Sequence, residues 1–197
     1  MQYVIRPISV ELPDYRGYAG TLATGTLTAG DEVVVLPSGR RTTVVSVETA
    51  DGPLATAVAR QAVTVRLADE VDVSRGDLIA AADDVPTVTS QLEATVCWMA
   101  DAPLVVGRTL LLKHTTRTVK AMVTELHDTL DVATLTSGAT AGLALNDIGR
   151  ITLRLAAPVF VDDYADDRTT GAFVLVDPVT GATVAAGMVG TVLGVRA

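Results

Sequence analysis

The chain has 197 residues, 49% of them hydrophobic but only 4% aromatic, and carries 15 basic against 23 acidic side chains, a net charge of −8. That length allows one large domain or two small ones, with cores of Val, Leu, Ile and Ala. The charge is −5 through Val85 (7 basic, 12 acidic) and −3 from Pro86 on (8 basic, 11 acidic), a surface that repels phosphate backbones and disfavours nucleic acid as a partner.

Val and Thr recur throughout, which favours strands. Met1 to Val10 reads as a lead-in and first strand, closed by Pro13. Asp14 to Gly20 is a loop or tight turn, Gly20 to Leu27 a strand, Leu27 to Asp31 a turn, and Glu32 to Leu36 a strand. Pro37-Ser38-Gly39 is a strong turn signal. In the strand Arg41 to Thr49, alternation puts Val45 and Val47 on one face and Val44 and Ser46 on the other. Asp51-Gly52-Pro53 breaks it. Leu54 to Arg60 reads as a short helix or, preferably, a loop crossing a barrel mouth. Ala62 to Leu67 is a strand with Val63, Val65 and Leu67 inward, and Ser74 to Asp77 turns into a closing strand, Leu78 to Ala81. Short strands divided by Gly and Pro predict a small closed barrel.

The polar, proline-containing stretch Ala82 to Thr87 is the best boundary, giving domains 1–85 and 86–197. The second half opens with Leu92, Ala94, Val96 and Trp98 alternating against Gln91, Glu93, Thr95 and Cys97, a period of two. Thr109 to Lys113 and Thr118 to Leu126 form a hairpin around His114 to Arg117. Leu130 to Gly142 reads as Thr-rich loop. Ile151, Leu153 and Leu155 alternate with Thr152 and Arg154. A last hairpin joins Ala172 to Val176 with Ala182 to Leu193 through Asp177 to Gly181. The fold class expected is all-β, two small barrels in tandem.

Chemistry-bearing patterns are few. Gly20-Thr21-Leu22-Ala23-Thr24-Gly25 has phosphate-loop spacing, but Thr26 and Leu27 stand where Lys and Ser or Thr must neutralise phosphate and hold Mg²⁺. The alternative frame from Gly25 to Gly30 leads into Asp31 and Glu32, which repel phosphate. These glycines read as barrel-strand and turn positions. Asp162, Asp163, Asp166 and Asp167 around Tyr164 have the density of a divalent-cation loop but lack EF-hand spacing, and a solvated loop is the preferred reading. His114 and His127 have no companion at metal-ligand spacing. Cys97 has no base beside it and reads as an inert thiol; a single cysteine forms no internal disulfide and fits a cytoplasmic location. Trp98 reads as core. No apolar run is long enough to span a membrane, and Met1 to Pro7 lacks a signal-peptide core. From the residues alone, no catalytic, cofactor or metal site is expected.

Gly17 to Leu27 followed by Gly30 to Pro37 resembles the second domain of translational GTPases such as elongation factor Tu, and the second half looks like their third domain. Within that superfamily, three sets of motifs resemble the GTP-binding subunit of bacterial sulfate adenylyltransferase. They are Gln2-Tyr3-Val4 with Arg6-Pro7 and Tyr15 to Ala23; Val35 to Gly39 with Val73 to Asp77; and Cys97-Trp98-Met99 and Pro103-Leu104 with Gly171 to Asp177. The resemblance implies a fragment of accessory, coupling β-barrels that is not itself catalytic, in a parent making adenylyl sulfate and pyrophosphate from ATP and sulfate, driven by GTP hydrolysis. It implies a GTPase domain before Met1 holding GTP and Mg²⁺, a separate catalytic subunit, and in some members an adenylyl-sulfate kinase domain after Ala197. Tyr15, Arg16 and Tyr18 are interface-type residues clustered in one turn and are expected to face a partner; the competing expectation is that the two tyrosines plug the barrel end. Two other readings stand beside this: a translation-factor fragment binding tRNA, and a free-standing β-barrel interaction module.

Overall fold

The computed structural model describes residues 2–5 and 15–190. These residues form sixteen strands, with no α-helix among them. The chain divides into two compact units, Met1–Thr87 and Val88–Ala197.

The first unit contains β1 (Gln2–Ile5), β2 (Tyr18–Thr24), β3 (Thr26–Thr28), β4 (Glu32–Leu36), β5 (Arg40–Thr49), β6 (Gly52–Leu54), β7 (Thr56–Val58), β8 (Ala62–Leu67) and β9 (Leu78–Ala81). Six of them pair antiparallel in a ring, β1-β2-β8-β5-β4-β9 and back to β1. Closure leaves no edge within the ring open to another chain. Val33, Val35, Val44, Val47, Val63, Val65 and Ile79 fill it.

Three readings of this half are corrected. The expected strand Gly20 to Leu27 is two strands, broken at Gly25, whose φ of 72° suits a residue without Cβ. Leu54 to Arg60 is neither helix nor plain loop: β6 folds back on β5, and β7 pairs with β3 in a separate ribbon that buries Leu27 and Ala57 completely. In β5, Val44 and Val47 are the inward residues, while Val45 is 49% exposed. The β5–β8 register slips between Val44 and Ser46. A bulge there inserts one residue and reverses the alternation beyond it, so the face assignment that held Val45 and Val47 together fails.

The second unit contains β10 (Thr87–Trp98), β11 (Thr109–His114), β12 (Arg117–Asp131), β13 (Thr136–Gly138), β14 (Ile148–Val161), β15 (Ala172–Val176) and β16 (Thr183–Val189). Its ring runs β11-β15-β16-β10-β14-β12 and back to β11. The alternation read in β10 holds: Leu92, Ala94, Val96 and Trp98 are all buried. The hairpin at His114 to Arg117 forms as expected. The stretch expected as Thr-rich loop is in part strand, since β12 runs on to Asp131 and β13 pairs with its end. Glycine makes room at one crossing: Gly187 of β16 stands opposite Phe173 of β15, and a Cβ there would strike the phenylalanine ring. The part of the last predicted strand beyond Gly190 lies outside the described residues, as do Arg6 to Asp14.

Candidate functional site

The three residues expected in a partner-facing turn are held in three different ways. Tyr18 opens β2 and is a core residue, 3% exposed, its hydroxyl donating to the Val71 carbonyl. A tyrosine can close a barrel end this way because its polar tip finds an acceptor while the ring stays apolar. The loop expected over Asp14 to Gly20 therefore ends at Gly17. Tyr15 lies half-buried on the outside, its hydroxyl donating to Glu48 Oε2 at 2.7 Å. The Arg66 guanidinium lies 5.2 Å from its ring centroid. Arg16 is exposed and pairs with Asp72 at 3.0 Å. Gly17 has no room for a side chain, since a Cβ would lie 2.6 Å from Thr64 Cγ2 and 2.9 Å from the Tyr15 ring. The segment is thus strapped to the barrel wall, with Arg16 its most open side chain.

Glu48 anchors this strap. Its carboxylate accepts from the Ser46 hydroxyl at 2.6 Å as well as from Tyr15, and these two bonds hold it below the usual carboxylate range. Burial, with the nearby Glu48, raises the Tyr15 phenol. Sequence reasoning found the strand that carries Glu48 but not its tie to Tyr15, because a contact between residues 33 positions apart leaves no local signal.

Three of the four carboxylates of the acidic loop after β14 accept hydrogen bonds from within the loop. Asp162 Oδ2 accepts from the Thr170 hydroxyl, Asp163 Oδ1 from the Ala165 amide at 2.9 Å, and Asp167 Oδ1 from the Thr169 amide at 2.7 Å. Among the described residues no group of three or more His, Cys, Asp or Glu is placed to hold a metal ion. Next to the loop, His114 is 2% exposed and its Nε2–H donates to the Thr170 carbonyl at 2.7 Å. Burial pushes its pKa below the ordinary histidine value, and the Thr170 bond and the Asp162 charge oppose that shift. His127 bonds Thr152 Oγ1 at 2.8 Å. Cys97 is partly exposed and pairs across the ladder with Ala186. Trp98 is fully buried, donates Nε1–H to the Ala102 carbonyl at 2.9 Å, and carries Arg108 over its ring.

One feature of the first unit was not anticipated. A groove of about 550 Å³ is lined by Thr26, Thr28, Asp31, Glu32, Ala81, Ala82, Asp83 and Asp84. Asp31 already accepts from the Thr28 amide at 2.8 Å. The groove gathers the turn after the glycine-rich stretch with the end of β9, two places that looked unrelated in the sequence. Its four carboxylates, Asp31, Glu32, Asp83 and Asp84, give the groove a negative lining.

Two six-stranded antiparallel rings, one in each unit, define a protein of two β-barrels in tandem. The chain belongs to the GTP-eEF1A C-terminal domain-like family, which residues 91–190 match. It is 51% identical over 96% of its length to the bifunctional enzyme CysN/CysC of Mycobacterium tuberculosis, and 43% identical over 96% to sulfate adenylyltransferase subunit 1 of Laribacter hongkongensis. It spans only 31% and 39% of those two relatives. Among solved structures, Sup35 complexed with GDP matches 98% of this chain and 48% of its own, with a TM-score of 0.82 at 20% identity. That likeness shows the fold: the two translation-factor-type barrels expected from the sequence are present.

Proposed function

We propose that this chain is the pair of accessory barrels of a sulfate adenylyltransferase GTP-binding subunit acting in sulfate assimilation in the cytoplasm. The observation that carries the reading is identity of 51% and 43% running through 96% of the chain, both barrels included, toward relatives with those names. GTP and Mg²⁺ would bind a GTPase domain outside these residues, and adenylyl sulfate would form on a separate catalytic subunit. In the fused form an adenylyl-sulfate kinase domain would join them. The barrels would couple the two reactions, since GTP hydrolysis can drive an uphill step only through an element whose arrangement both sites bias. On this reading the chain alone turns over neither GTP nor ATP with sulfate. The acidic surface supports a protein partner over RNA.

The test is a transplant. This chain replaces the matching barrels of the Laribacter subunit 1, and the hybrid is assayed with that organism's catalytic subunit for GTP-dependent adenylyl sulfate formation. Retained GTP dependence is expected. A folded hybrid that hydrolyses GTP without driving synthesis, or tight salt-dependent tRNA binding by the isolated chain, would overturn the reading.

A further inference from the structure

We propose that His114 is a pH-sensitive latch on the acidic loop, residues 162–171, and that protonating it below neutral pH frees the loop from the end of the second barrel. His114 ends β11, is 2% exposed, and holds the fully buried Thr170 through the carbonyl, at 2.7 Å. Thr170 is the node of the loop. Its hydroxyl donates to Asp162 at the start of the loop, and its amide donates to Asp167 in the middle. Gly171, next to it, is packed so closely on Tyr164 and Asp167 that a Cβ has no place. Moving Thr170 therefore moves the whole segment.

The groups facing the imidazole decide the direction. From β12, Arg117 stands directly opposite His114 in the ladder, its guanidinium 5.3 Å from the Phe160 ring centroid. From the end of β14, Asp162 favours the charged ring. Asp163 and Asp167 are engaged with loop amides; Asp166 and Arg168 lie in the same loop, Lys113 precedes His114 on its own strand and is exposed, and β15 and β16 carry no charged side chain. One carboxylate offsets a buried cation only in part, and burial wins, so the closed loop prefers the neutral ring. A hydrated, open loop lets the ring charge at its ordinary value. Acidification therefore shifts the balance toward opening, by at most about tenfold at pH 5.5, one unit below the ordinary histidine value of about 6.5.

The experiment is hydrogen exchange with mass spectrometry on the intact chain at pH 5.5 and 7.5, corrected for the intrinsic exchange rate. The expected result is increased opening of residues 162–171 at the lower pH, by several-fold and no more than about tenfold, with the rest of the second barrel unchanged. His114→Gln keeps a side-chain N–H donor but no titrating group, and should abolish the pH response while keeping protection at pH 7.5. Should that variant not fold, NMR of the wild-type chain decides, because it has only two histidines. His114 should titrate below the ordinary value, and the loop amides should shift with the same midpoint. An unchanged pH response in His114→Gln, or a His114 titration that leaves the loop amides still, would overturn the latch.

Discussion

The two barrels close with the same number of strands but wind differently. Each ring has three pairs of neighbours that are successive ring strands, but at different places: β1 with β2, β4 with β5 and β5 with β8 in the first, and β11 with β12, β12 with β14 and β15 with β16 in the second. Their interiors differ as well. The first is packed mainly with valines, has one buried aromatic, Tyr18, and one buried polar residue among those described, Thr42. The second has longer strands and needs Trp98, Phe173 and a set of leucines to fill it. It also buries Thr95, His114, Asp128, Thr152 and Thr170. A short-stranded ring is filled by small side chains, with one tyrosine buried among them. A longer one takes in polar groups, and each of those must then be hydrogen-bonded. The contrast teaches that closure of the sheet sets the architecture, while side-chain volume sets how much chemistry the interior can hold.

The sharpest way to break this contrast is to remove the largest filler. Trp98→Ala should cost about 3–5 kcal/mol, and hydrogen exchange should show protection lost across residues 88–190 and kept in 15–87. Loss in both units would mean that the two cores are not independent. In the first barrel, Val47→Thr buries an extra hydroxyl and should cost about 1–3 kcal/mol, whereas Val45→Thr should stay within about 0.5 kcal/mol of wild type. Equal costs in urea unfolding would remove the bulge. Tyr18→Phe leaves the Val71 carbonyl without its partner and should cost about 1 kcal/mol, read as a lower urea midpoint with an unchanged slope.

The smallest effect is expected at the strap. The Glu48 pKa is depressed in the folded state, chiefly by the Ser46 and Tyr15 hydroxyls. A depressed carboxylate adds stability above its unfolded value near 4.5, and that gain is lost as pH falls through the folded value. Glu48→Gln should therefore flatten the acid limb of the stability profile of the first barrel below about pH 4.5 and leave the second barrel's limb as it was. An unaltered limb in thermal melts between pH 3 and pH 6, on the order of the window the carboxylate titrates in, would show that Glu48 does not hold the strap.

Much of the fold was legible because strands advertise themselves by alternation. Leu92, Ala94, Val96 and Trp98 were read as one inward face and are one. The Ser74 to Asp77 turn was legible from its residue types, and forms with the Ser74 amide on the Asp77 carboxylate. Alternation failed at Val45, because a bulge is a property of two strands and only one of them is local. It failed at Leu54 to Arg60, because three-residue strands are too short to show a period and exist only through their partners, β5 and β3. The loss of the phosphate-loop reading was legible in the absent lysine. The groove shared by Asp31, Glu32, Asp83 and Asp84 was not, since about fifty residues separate its two sides.

By itself, then, the sequence determined the all-β class, the two-part organisation of the chain, and the absence of a lysine-bearing phosphate loop, all of which rest on residue type and short-range spacing. Only the tertiary structure decided which side chains of the Tyr15 to Tyr18 segment stay open, where β5 reverses its faces, and that His114 holds the acidic loop. Those outcomes depend on burial and on hydrogen bonds between residues far apart in sequence, such as Tyr18 with Val71 and His114 with Thr170. Closing the sheet brings such pairs together, and no local pattern records them.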